Sequence, residues 1–203
     1  MTKYTVYYFN IKGRGEIVRL MLTAAGVDFE DHRVQGEEWP KLKSSMPTGQ
    51  MPVLEIDGKK YSQSLAIARY LAREYGMAGK TNTDQLLMDQ IVDTVNDLIN
   101  EMIKPVFEKD EARKAEMEKK LKEETMPRIF GTLNNFLEGN GGDYFVGTKL
   151  SLADVFFMDI VSRVVEKDPK ALEKFPKLAA NLKKTQSEPK IAAYLAKRPK
   201  TDL

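Results

Sequence analysis

Tyr4 to Tyr8, YTVYY, combines β-branched and aromatic residues and predicts a short, well-buried strand. The NIKGRGE that follows is a glycine-containing loop. Ile17, Leu20, Met21 and Ala24 then recur at i, i+3, i+4 and i+7, the stripe of an amphipathic helix that Gly26 is placed to stop. Phe29 to Val34 predicts a second strand, and Trp39 to Lys43 falls in a polar connection with Pro40. In MPVLEIDGKKYSQS, a strand through Val53 to Ile56, a turn at Asp57 and Gly58 and a return at Lys60 and Tyr61 make a hairpin. Ser64 is placed to cap a helix whose stripe is Ala68, Leu71, Ala72 and Tyr75. The order is β-α-β followed by β-β-α, an α/β domain over residues 1–76 with a mixed sheet.

The small and polar stretch 77–84 reads as a linker. Over 85–203 the period is helical throughout. Leu87, Ile91, Val95, Leu98 and Met102 share one face of a long helix, and a charged helix with Pro127 follows. GNGGDY is a loop. After it, Ser151 and Asp154 have the spacing of a capping box that opens the apolar run Val155, Phe156, Phe157. The second domain is therefore expected to be all-α.

Composition narrows the chemistry. The chain has 203 residues, 42% hydrophobic and 31% charged, the profile of a packed globular protein. It has no cysteine and a single histidine, His32, which excludes disulfides, thiolate zinc sites, iron–sulfur clusters, cysteine nucleophiles and histidine metal clusters. Any thiol chemistry must use a thiol that a bound molecule brings. The net charge is +2, and the lysines between Lys109 and Lys122 alternate with acidic residues as on a solvated helix face, so no nucleic acid partner is expected. No apolar run reaches membrane-spanning length, and MTKYTVYYFN leads directly into the first strand. These features set the expectation of a soluble, cytoplasmic chain with no membrane partner. No phosphate-loop or nucleophile-elbow motif occurs.

Four places could carry chemistry. Tyr8 ends the first strand beside the loop bearing Arg14, where open α/β folds bind ligands, and a phenol can donate to an anion without ionising. The competing reading makes Tyr7 and Tyr8 an ordinary core and surface pair. Gly49-Gln50-Met51-Pro52 precedes a strand; a cis proline there would turn backbone groups toward an extended ligand, and a trans proline would only mark a sheet edge. Gln63-Ser64 opens a helix, as a simple cap, as a carboxylate site, or as both. Asp89, Asp93 and Asp97 repeat every four residues, at a cost of about 0.2–0.5 kcal/mol per like-charge pair unless a cation or a partner chain offsets it. A solvated acidic face is the plain alternative.

Taken together, YYFNIKGRGEIVRL, EDHRV, EWPKLKSSMPTGQMPVLEIDG, QSLAIARYLA, IVDTVNDL, LSLADVFF and the terminal AKRPKTDL resemble the cytosolic glutathione S-transferases over essentially the whole chain. The likeness is greatest to the sigma class, which holds invertebrate enzymes and a vertebrate prostaglandin D synthase. The resemblance implies a thioredoxin-like N-terminal domain, an all-α C-terminal domain, a homodimer and glutathione as cosubstrate. It implies that Tyr8 donates to the glutathione sulfur, with Arg14 supporting the thiolate, and that Trp39 and Lys43 hold the glycyl end. It places Gly49, Gln50, Met51 and cis Pro52 along the cysteinyl backbone, and Gln63 and Ser64 on the γ-glutamyl carboxylate. Asp97 of the partner subunit would face the ammonium.

A hydrophobic second substrate, a small electrophile, would meet Phe9, Ile99, Phe107, Phe156 and Leu203. In the vertebrate synthase a divalent cation sits at three acidic positions. Here those are Asp93, Asn96 and Asp97, and the asparagine removes one charge and counts against a metal. The activities implied are conjugation of glutathione to apolar electrophiles, with peroxidase activity on lipid hydroperoxides. The alternatives are a glutathione-dependent prostaglandin-H2 D-isomerase, which the lack of a tryptophan in MIKPVF disfavours, and a non-catalytic crystallin-like or ligand-carrier relative.

Overall fold

The computed structural model of the chain describes residues 2–201. It divides into two compact units. One holds the residues up to Met77 together with the chain from Gln186, and the other is Ala78–Thr185.

In the first unit, β1 (Tyr4–Phe9), α1 (Glu16–Ala25) and β2 (Glu30–Val34) form the parallel half. Next come α2 (Trp39–Leu42), a 3₁₀ turn at Lys43–Ser45, the antiparallel pair β3 (Val53–Ile56) and β4 (Lys59–Ser62), and α3 (Ser64–Glu74). The sheet order is β2-β1-β3-β4, the mixed sheet expected from the pattern. Alternation along β1 sends Tyr4, Val6 and Tyr8 into the core, where Ile17, Leu20, Met21, Leu54, Ala68 and Leu71 are fully buried. Tyr7 points to the other face, against His32 at 5.0 Å between ring centroids and Glu55 at 3.2 Å. Gly26 ends α1 at φ 73°, a left-handed turn that costs a glycine nothing.

Three local details differ from expectation. The segment 39–45 is helical rather than irregular, since Pro40 lies in the first turn, where its missing N–H leaves no bond unmade. Ser64 is the first helical residue and Gln63 takes the cap position. The chain from Gln186 carries α9 (Pro189–Lys197), which packs on α1 in the first unit. The reason is electrostatic: Tyr194 and Arg198 reach the buried carboxylate of Glu16 at 3.1 and 2.8 Å.

The second unit is helical, with α4 (Asn82–Phe107), α5 (Glu111–Lys120), α6 (Met126–Gly139), α7 (Leu152–Lys167) and α8 (Pro176–Gln186), the last reaching its boundary. The buried stripe of α4 is Met88, Ile91, Val92, Val95, Leu98 and Ile99; Ile91, Val95 and Leu98 were expected there, while Leu87 and Met102 are only half-buried at its margin. Thr81 caps α4 through a box with Asp84, so the helix begins inside the expected linker. One turn of π-helix at Leu121–Thr125 joins α5 to α6 just before Pro127; a wider turn relieves the clash of a proline ring with the preceding carbonyls. No buried residue occurs in α5, the solvated charged helix that was expected. Among the described residues no helix is long and apolar enough to cross a membrane.

α7 is apolar over most of its circumference and runs through the core of this unit, with Phe157 packed edge-on to Phe145 at 5.2 Å. Its start is fixed by Asp154, which is fully buried. One carboxylate oxygen accepts from Ser151 N and Oγ at 2.9 and 2.6 Å, and the other from Phe145 N and Asn181 Nδ2 at 3.0 and 2.8 Å. Burial pushes this carboxyl above the ordinary range against the pull of those donors. Asp154→Ala would leave buried donors without an acceptor, each worth about 1–3 kcal/mol. Urea unfolding of that variant should show stability lowered by at least about 2 kcal/mol, while Asp110→Ala, at the exposed start of α5, should lose no more than about 1 kcal/mol.

Candidate functional site

The end of β1 and the loop that follows adjoin the candidate site through Arg14. Tyr8 is 7% exposed, and the loop of residues 10–15 folds back over its ring. Two glycines permit this. A Cβ on Gly15 would overlap Cβ, Cγ and Cδ1 of Tyr8, and one on Gly13, whose φ is 42°, would come within 3.0 Å of Cε1. The loop therefore lies flat on the ring and brings the Arg14 N–H to the Tyr8 hydroxyl oxygen at 3.0 Å. An oxygen that accepts in this way keeps its own hydrogen for a further acceptor, and the bond it receives polarises that O–H.

Beside this loop a cleft of about 190 Å³ is lined by Arg14, Thr48, Gln50, Met51, Pro52, Ser62, Gln63 and Ser64. The Met51–Pro52 peptide is cis. Gln63 adopts φ 74° and ψ 99°, a conformation that L-residues avoid, at a cost on the order of 1–3 kcal/mol, and it leads into the first turn of α3. Gln63 and Ser64, the residues that open α3, line the cleft, and a helix start is a setting suited to a carboxylate. Hydroxyls, amides and the Arg14 cation make the lining polar, with no thiol and no imidazole. Such a lining fits a small peptide-like molecule that carries a carboxylate.

Of the residues singled out from the sequence, Arg14, Gln50, Met51, Pro52, Gln63 and Ser64 line the cleft, and Tyr8 adjoins it through Arg14. Gly49 turns the chain at φ 62°, with the exposed Lys43 alongside. Trp39 packs edge-on to Phe9 at 5.6 Å, and Phe9 packs on Tyr8 at 5.9 Å. In the second unit Asp93 and Asp97 are exposed on α4, Ile99 and Phe156 are each 4% exposed, and Phe107 is 77% exposed. Leu203 lies outside the described residues. Among the described residues there is no group of three or more His, Asp or Glu side chains able to hold a metal ion.

Sequence reasoning missed Thr48 and Ser62. The signals for them were a P-T-G turn and a second hydroxyl, two residues before Ser64, in S-Q-S. It also missed Arg19, which is 0% exposed against the face of the Tyr8 ring although it falls outside the apolar stripe of α1.

A small mixed four-stranded sheet with a polar cleft at its edge, accompanied by a helical unit, is a thioredoxin-like two-domain architecture. The comparisons agree. Residues 4–73 match the model of the glutathione S-transferase N-terminal domain, and residues 96–198 match that of its C-terminal domain. The chain belongs to the glutathione S-transferase family. It is 42% identical to hematopoietic prostaglandin D synthase of Gallus gallus, over 99% of each chain. It is 40% identical to glutathione S-transferase of Anopheles gambiae, over all of each chain, and 38% identical to S-crystallin SL11 of Nototodarus sloanii, over 99% of each. A solved structure of prostaglandin synthase D of Nilaparvata lugens superposes with a TM-score of 0.90 at 40% identity, over 98% of this chain and 100% of that one.

The seating of the loop on Tyr8 gives a direct prediction. Gly15 has φ −84°, open to any residue, so Gly15→Ala adds only the collision with the ring. It should cost about 1–3 kcal/mol of stability. It should also lower glutathione-dependent turnover at least about tenfold, as misplaced catalytic groups do. Gly36→Ala, where an added Cβ meets nothing within 4 Å, should leave both unchanged.

Proposed function

We propose that this chain is a glutathione transferase of the sigma type that binds glutathione in the cleft and activates its thiol for attack on hydrophobic electrophiles. The observation that carries this reading is the Arg14 N–H on the Tyr8 oxygen, which turns the phenol into a polarised donor beside the cleft. In this reading the first turn of α3, with Gln63 and Ser64, takes the γ-glutamyl carboxylate. The Met51 backbone pairs with the cysteinyl residue next to Pro52, with Gly49 and Gln50 alongside. Trp39 and Lys43 take the glycyl carboxylate. Asp97 of the partner subunit takes the ammonium in a homodimer, and this gives the acidic ladder of α4 its use.

The energetics suffice. A thiol of pKa about 8.5 is only about 3% thiolate at neutral pH, and the thiolate is the nucleophile. Lowering that pKa by about 2 units takes about 2.7 kcal/mol. One hydrogen bond to a charged acceptor supplies roughly 1.5–3 kcal/mol, and the Arg14 cation at the cleft adds to it. In conjugation the sulfur forms the new bond to the electrophilic carbon and the leaving group departs with its electron pair. With a lipid hydroperoxide the thiolate attacks the O–O bond, releasing the alcohol, and a second glutathione completes the disulfide and water. The protein would act in the cytoplasm, without a metal.

Two relatives point elsewhere by name. A prostaglandin isomerase reading is disfavoured because Trp39 is the chain's single tryptophan and none stands in MIKPVF. A lens-type structural role is disfavoured because Tyr8, Arg14, Gln63 and Ser64 are retained together in a formed site.

Tyr8→Phe should lower kcat toward an aromatic halide about 10- to 150-fold, the loss of one charge-assisted hydrogen bond. The KM for glutathione should change little, because the bond is to the reacting sulfur. Wild-type turnover in that variant would refute the assignment of Tyr8. Absence of turnover in the wild type toward a halide, a hydroxyalkenal, cumene hydroperoxide and the prostaglandin endoperoxide would favour the carrier.

A further inference from the structure

We propose that Arg19 is a positioning residue for the catalytic loop, and that the last helix, α9, controls the site through Glu16 and Arg19 without touching any ligand. The proposal rests on Tyr8 as the partner of the thiol.

Arg19 is fully buried, with its guanidinium carbon 5.6 Å from the centroid of the Tyr8 ring. Its Nη2 donates to Phe9 O at 3.2 Å and its Nη1 to Ile11 O at 2.9 Å. Those two carbonyls bracket the point where the chain leaves β1 and starts the loop that delivers the Arg14 N–H. Between them, the Asn10 side-chain oxygen accepts from Arg33 Nη1 at 3.0 Å. Three successive residues of the turn are therefore held by two guanidinium groups. Asp31 joins these groups, accepting from Arg19 Nε and Arg33 Nε at 2.8 Å each. A planar fork with five donors can bind two carbonyls and two carboxylates at once; a lysine ammonium has three donors at a single point and cannot span them.

The other half of the network leads to the end of the chain. Glu16, one turn before Arg19 and 1% exposed, divides its carboxylate. Oε2 accepts from Arg19 Nη1 at 3.3 Å, while Oε1 accepts from Tyr194 Oη at 3.1 Å and Arg198 Nη1 at 2.8 Å. Burial, reinforced by the Glu16 charge, pushes the Tyr194 hydroxyl far up, so it stays a neutral donor. Without Tyr194 of α9 and Arg198 at its C-terminal cap, the Glu16 carboxylate would bear on Arg19 alone, and the fork would be drawn away from the Phe9 and Ile11 carbonyls. A buried charged network of this kind is weak evidence for stability, since apolar replacements often serve as well. Its geometry converges on one turn, which accounts for it as a device that sets the loop on Tyr8.

The test compares Arg198→Met, Arg198→Lys, Arg19→Lys and Tyr8→Phe. For each, the pH titration of the bound glutathione thiolate is followed by its ultraviolet absorbance, together with kcat, the KM for glutathione and the melting temperature. Arg198→Met should raise the thiolate midpoint by about 0.5–1 pH unit and lower kcat about three- to tenfold, with the KM for glutathione within about twofold. Arg198→Lys, which restores a cation to Glu16, should recover most of both. Arg19→Lys should shift the midpoint further. If Arg19→Lys fails to fold, the Arg198 pair decides the matter alone. A wild-type midpoint and kcat in Arg198→Met, alongside a clear shift in Tyr8→Phe, would overturn the proposal and leave a purely structural network. No shift in Tyr8→Phe itself would instead overturn the reading of Tyr8, and this inference with it.

Discussion

The Arg14 amide on the Tyr8 oxygen is a single hydrogen bond of 3.0 Å, yet both the loop that crosses the ring and the turn at residues 9–11 are shaped to allow it. A phenol at the end of a strand lies within the core layer, so a backbone N–H can reach its oxygen only if the next loop reverses closely over the ring. Any side chain at positions 13 or 15 would hold that loop away. The glycines allow the approach but cannot enforce it, because glycine is also the least restrained residue. Enforcement comes from below, where Arg19 and Arg33 hold the turn at residues 9–11.

The consequence is a division of labour between sheet, loop and helix. The sheet places Tyr8 through the parallel pairing of β1 with β2, in which Tyr8 stands opposite Arg33. The cleft beside it is built from the opposite side, by the approach to β3 and the end of β4, where Gln63 is held in a left-handed conformation and α3 begins. A strained residue is retained where surrounding structure and function require it. The chain has no cysteine of its own, and a polar cleft beside a polarised phenol is the complement of a cosubstrate that carries both a thiol and carboxylates.

Much of this was legible in the residues. The strand–helix alternation, the hairpin, the glycine stop at Gly26 and the Ser151–Asp154 start of α7 follow from local spacing, because each depends on side chains within one turn of the element it shapes. The gathering of Arg14 and Gln63-Ser64 at one cleft, with Tyr8 beside it, could be anticipated because all sit at element ends. The positive φ at Gln63 was not visible, since glutamine gives no signal for it, and Ser64 was read as the cap in its place. Arg19 was hidden for a related reason: a cation in an amphipathic helix reads as its solvent face until distant carbonyls and carboxylates are brought around it. The departure of the last helix to the first unit is of the same kind, because Glu16 and Arg198 are joined only by tertiary structure.

The central claim is that the Tyr8 hydroxyl, with the Arg14 N–H on its oxygen, is the group that meets the glutathione sulfur. A crystal structure of the protein with glutathione bound measures this directly. The account predicts the sulfur within hydrogen-bond reach of the Tyr8 oxygen, with the Arg14 N–H still in place and the γ-glutamyl carboxylate on the first turn of α3. A sulfur turned away from Tyr8, or a loop lifted off its ring in the complex, would contradict it.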